Sequence, residues 1–93
     1  MTYVYPAVFH QVGEAVNVYY PDLACISQGN NYLDAFRSAR ESLSLHVYGM
    51  IAEGYELPTP SHLEDIKLGE NEALALIETE DLHEFKPDWS RND

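Results

Sequence analysis

The stretch YYPDLACISQGNNYLDAF, residues 19–36, decides how this chain is read, because a two-residue repeat gives way within it to a helical one. Pro21 and Asp22 mark a turn, Ala24 to Gln28 makes a short strand, and Gly29 ends it. From Asn31 onward the spacing is helical: Phe36, Ala39, Leu43, Val47 and Met50 recur every three or four residues, with Arg37, Arg40, Glu41 and Ser44 between them. Asn31 suits the N-cap, since its side-chain oxygen can accept from an unpaired first-turn N–H, and Asp34 puts negative charge at the positive end of the helix dipole. Gly54 suits the C-terminal stop, and the prolines at 58 and 60 require an extended connector after it.

Upstream, Tyr3 to His10 alternates with period two, which places Tyr3, Tyr5, Ala7 and Phe9 on one strand face. Pro6 lacks a ladder donor, so its part of the strand is expected at an edge or a bulge. Gln11 to Ala15, with Gly13, reads as a hairpin loop, and Val16, Val18 and Tyr20 share a face of the next strand. Downstream, the apolar run Ala73 to Thr79 is read as a fourth strand. The expectation is α+β with order βββαβ: a four-stranded sheet covered on one face by one long helix, the last strand lying beside the first. A helical crossover rule favouring one hand underlies that placement. Residues 1–85 are read as one domain, and the closing KPDWSRND (86–93), which has no periodicity, as a flexible acidic tail.

Ninety-three residues support one small core. Sixteen acids against five bases give a formal net charge of −11, which opposes binding to a phosphate backbone and favours a basic protein partner. The charge is uneven: residues 61–93 carry −7 and residues 1–60 carry −4. A single cysteine cannot form an internal disulfide, no apolar run reaches membrane-spanning length, and the N-terminus has no signal-peptide plan, so a soluble cytoplasmic protein is expected.

The residues argue against catalysis. Cys25 is the only thiol, and no histidine at 10, 46, 62 or 83 stands in a cysteine-protease context, so it is read as a buried strand residue. Ser27 has no GxSxG setting. Metal-ligand spacings and phosphate-cradling glycine motifs do not occur, so neither cofactor nor metal is expected. The strand order resembles part of a ribonuclease H fold, whose chemistry needs a carboxylate on the opening strand. Met1 to His10 contains no acid.

Taken in order, YPAVFH (5–10), VYYPDLACISQG (18–29), the helix NYLDAFRSARESLSLHVYGMIAEG (31–54) and ELPTPS (56–61) resemble the N-terminal domain of HicB antitoxins. ALALIETED (73–81) matches that family's closing strand more loosely. The resemblance implies a partial ribonuclease H-like fold without nuclease residues. It also implies a task, the neutralisation by direct binding of a HicA-like toxin, a small basic RNA-cleaving protein. Two departures stand out. Ala24-Cys25 replaces the Pro-Gly that often follows PDL in the family, and no ribbon-helix-helix or helix-turn-helix segment follows, so DNA binding is not expected of this polypeptide. The acids Asp22, Asp34, Glu78, Glu80, Asp81 and Glu84 are the candidate toxin contacts. A sheet with one covered face leaves edges and an apolar face in need of protection, so a homodimer or homotetramer is expected. The alternative is a stand-alone interaction module of the same fold with another partner and no toxin.

Overall fold

The computed structural model describes residues 1–83 and 85; the tail expected at 86–93 lies outside the described residues. Its elements are β1 (Val4–Val12), β2 (Ala15–Tyr20), β3 (Leu23–Gly29), helix α1 (Tyr32–Ala52), a three-residue 3-10 turn (Leu63–Asp65) and β4 (Glu72–Glu78). The strands form one sheet in the order β3-β2-β1-β4, every neighbouring pair antiparallel. β4 joins β1 as expected, running against it, so the handedness rule for parallel strands does not govern the return.

Alternation sets the two faces. Tyr5, Ala7 and Phe9 of β1, Val16, Val18 and Tyr20 of β2, Leu23 and Cys25 of β3 and Ile77 of β4 form the core with Ala35, Ala39, Leu43 and Val47 of α1. Full burial of side chains such as Leu43 and Ile77 stabilises the fold by about 1.5–3 kcal/mol each. The Tyr20 hydroxyl donates to the Ala39 carbonyl at 2.7 Å, tying sheet to helix.

The helix ends follow the sequence closely. Asn31 accepts the Asp34 N–H at 2.9 Å. At the other end the Tyr55 N–H reaches the Met50 carbonyl and the Gly54 N–H reaches that of Ile51, the paired bonds of a Schellman cap. Two positions of α1 differ from that reading. Phe36 is 44% exposed and Ala35 takes the core position, because α1 starts hard against Gly29: a Cβ on that glycine would lie 2.2 Å from the Ala35 nitrogen. Phe36 turns instead towards Phe9, with ring centroids 6.5 Å apart. Ser44, placed among the solvated positions by its spacing, is fully buried, since its Oγ accepts the Glu80 N–H and donates to the Arg40 carbonyl.

Two strand expectations are also revised. β1 is an inner strand, yet its register with β2 starts at Val8, so Pro6 pairs only with Leu76 of β4 and its missing donor leaves no ladder bond broken on the β2 side. The first hairpin loop is shorter than Gln11–Ala15. Gln11 and Val12 pair with Val16 and Ala15, leaving Gly13-Glu14 as a two-residue turn, with the positive φ at Gly13 (62°) that such a turn takes at its first position.

Candidate functional site

The five candidate acids among the described residues do not form one surface. Asp34 stands in the first turn of α1, at the end of the sheet where β3 finishes, beside a polar cavity of about 400 Å³ lined by Gln28, Asn30, Arg37 and Ser38 among others. Asp22, in the β2–β3 turn, and Glu78, at the end of β4, lie at the other end, about seven strand residues or roughly 20 Å away. Glu84 lies outside the described residues.

Most of the remaining acids hold the protein's own chain. The Asp22 carboxylate accepts both the N–H and the hydroxyl of Ser61, at 2.9 and 2.5 Å, and so anchors the connector after α1. Glu78 accepts the Thr2 hydroxyl at 2.8 Å. Asp81 accepts the N-terminal ammonium at 2.5 Å and the His83 N–H at 3.0 Å, and those bonds hold its carboxyl below the usual carboxylate range. The Glu80 backbone is fixed by Ser44 while the residue itself is exposed, which makes its carboxylate the freest of this group to meet a partner. Glu78 closes β4 and Glu80 and Asp81 follow it directly in the chain, with the Arg40 guanidinium on the Glu78 carbonyl and the N-terminal ammonium on Asp81 beside them.

The single thiol is not placed for nucleophilic chemistry. Cys25 is buried, and burial pushes its thiol up, away from the reactive thiolate. Among the described residues no group of three or more His, Cys, Asp or Glu side chains could hold a metal ion, and no described helix is long and apolar enough to cross a membrane.

Sequence reasoning missed two surface features. One is an aromatic shelf on α1, where Tyr32 and Phe36, each partly exposed, flank Phe9 with ring centroids 6.1 and 6.5 Å away. The other is β3, an edge strand without a charged residue, whose Ile26 is 79% exposed. The missing charge is visible in LACISQG; the edge position is not, because strand order is a property of the pairing.

The sequence model described as the HicB-like antitoxin of bacterial toxin-antitoxin systems matches residues 5–84. This chain belongs to the HicB-like antitoxin family. A protein of Haemophilus phage HP1, described as an uncharacterized 14.9 kDa protein of the rep-hol intergenic region, is 32% identical over 62 residues, 66% of this chain and 47% of its own length. The chain therefore spans less than half of that relative. Among solved structures, this HicB-like chain is similar to the Burkholderia pseudomallei antitoxin HicB, with 27% identity and a TM-score of 0.71 over 98% of this chain and 73% of that one. The N-terminal domain of the same antitoxin gives 28% identity and a TM-score of 0.66, covering 81% of this chain and 95% of that one. A chain of a toxin–antitoxin complex from Streptococcus pneumoniae, 22% identical, shares the fold with a TM-score of 0.84 over all of this chain and 78% of that one.

Proposed function

We propose that this chain is the antitoxin of a type II, HicA/HicB-like toxin–antitoxin system and neutralises a small basic RNA-cleaving toxin by direct protein binding in the cytoplasm. The observation that carries this reading is the family match over residues 5–84. The net charge of −11 supports a basic partner, since opposite fields speed encounter and favour correct pairing. The chain itself performs no catalysis, binds no nucleic acid directly, and works as a homodimer or homotetramer. Residues 1–85 act as the antitoxin domain.

Inhibition in this reading is occlusion: the antitoxin covers the toxin's RNA-binding surface with an acidic one. Among the candidate acids, the exposed Glu80 carboxylate, with Glu78 and Asp81 on either side of it in the chain, is the proposed contact, and Asp34 would serve only a partner long enough to reach the other end of the sheet. Co-expression with the adjacent small basic protein tests the function. Growth should be restored and the two proteins should co-purify; continued arrest without a complex would leave the alternative, an interaction module without a toxin.

A further inference from the structure

β4 forms one edge of the sheet, and its pairing is regular. Its seven residues Glu72–Glu78 match residues 10 to 4 of β1 without a shift, whereas the ladder of β3 on β2 is interrupted between Tyr19 and Tyr20. Antiparallel pairs alternate between hydrogen-bonded and non-bonded. The Thr79 N–H on the Tyr3 carbonyl and the Gln11 N–H on the Asn71 carbonyl fix the phase, so the odd-numbered residues of β4 bond to β1. Leu74 and Leu76 therefore turn both N–H and C=O outward, and among the described residues no hydrogen bond reaches those groups. Arg40 agrees with that direction, its Nε–H reaching the Glu78 carbonyl at 3.1 Å from outside the ladder. Edge strands are usually blocked by lysine, proline or a bulge, and EALALIE has none of these.

Charge selects the occupant. Residues 68–81 hold five acids and no lysine or arginine. Glu72, Leu74, Leu76 and Glu78 share the sheet face away from α1, so two carboxylates bracket two leucines, of which Leu76 is 55% exposed. Glu72 accepts the Gly69 N–H at 2.6 Å and lies 3.4 Å from His10. Two cations stand near the Glu78 end, Arg40 and the N-terminal ammonium on Asp81, and neither pairs with the Glu78 carboxylate, which accepts the Thr2 hydroxyl. A second copy of this chain fits poorly, because antiparallel self-pairing about Ala75 sets Glu72 opposite the partner's Glu78, twice. A strand with basic residues six apart and apolar residues at the two alternate positions between them turns both repulsions into attractions. We propose that the free edge of β4 takes up an extended segment of a basic partner protein as a fifth strand, with a lysine or arginine opposite each of Glu72 and Glu78 and apolar side chains opposite Leu74 and Leu76. Backbone hydrogen bonds at Leu74 and Leu76 supply the attachment, and the bracketing carboxylates supply the selectivity. This inference deepens the proposed function and rests on it for the identity of the partner, the toxin then providing the segment.

The test uses the full wild-type chain and a probe peptide, acetyl-Lys-Thr-Val-Thr-Val-Thr-Lys-amide, at low ionic strength, with amide hydrogen exchange followed by nuclear magnetic resonance. Without peptide, the Leu74 and Leu76 amides should exchange freely while those of Ala75 and Ile77 are protected. Saturating peptide should slow exchange at Leu74 and Leu76 about tenfold and leave β3 unchanged. Replacing both lysines of the peptide by glutamate should weaken binding about tenfold or more, because two attractive pairs become repulsive. N-methylation of its two valines, whose N–H groups face β4, should weaken binding by at least as much, and N-methylation of the first and last threonines should not. Unchanged exchange at Leu74 and Leu76, protection appearing on β3 instead, equal binding of the glutamate peptide, or indifference to valine methylation would overturn the proposal. The peptide needs no toxin, so the two failures are distinct: lost peptide binding with intact co-purification would sink strand addition alone, and the reverse would count against the toxin reading alone.

Discussion

At the scale of single residues, the decisive position is Gly29, where β3 hands over to α1. Its open side meets backbone atoms of Asp34 and Ala35, so an added Cβ has no flexible side chain to push away. Gly29→Ala should cost about 3 kcal/mol, the upper end of overpacking effects, read as a lower urea midpoint with an unchanged slope. An alanine variant as stable as wild type would mean that the helix start can shift. The same close approach explains why Ala35 and not Phe36 enters the core. Helical periodicity marks a face to within a residue or so, and local clearance chose between the two neighbours. Ser44 shows the complementary limit: its polarity placed it outside, whereas a backbone N–H from residue 80, remote in sequence, gave its hydroxyl a buried partner.

At the scale of elements, α1 is held to the sheet by apolar packing and by the Tyr20 hydroxyl on Ala39. Burial, followed by the neighbouring Cys25, pushes the Tyr20 phenol far above its ordinary value of 10.0. The unfolded chain therefore loses this proton first as pH rises. The associated stability is complete below about pH 10, the ordinary phenol value, and drains away above it. Tyr5, raised chiefly by its own burial and then by Asp22, adds to the same slope. Alkaline unfolding followed by circular dichroism should begin near pH 10 and coincide with tyrosinate absorbance. Tyr20→Phe should flatten that pH dependence while costing about 1 kcal/mol at neutral pH for the lost hydrogen bond. An identical alkaline profile in the variant would remove Tyr20 as its cause.

For the whole molecule, the question is how a chain this acidic presents itself to a partner. Glu80 is exposed just beyond the end of β4, whereas Asp22 is committed to Ser61. Glu80→Lys should slow association with a basic toxin several-fold at low ionic strength and much less in high salt, measured by stopped flow, while folding stability stays within about 0.5 kcal/mol. Rates that ignore both the substitution and the salt would place the contact elsewhere. The order of elements, the cap residues Asn31 and Gly54, the core alternation of β1 and β2 and the family itself were legible in the sequence, because each rests on local spacing or on ordered motifs. Sequence by itself also determined the strong negative charge. Only the tertiary structure decided that the five candidate acids among the described residues split between two ends of the sheet, that several of them bind their own chain, and that the charge-free strand LACISQG lies at the edge of the sheet. Those outcomes depend on which segments, distant along the chain, come to lie side by side, and strand pairing is not encoded in any one stretch of residues.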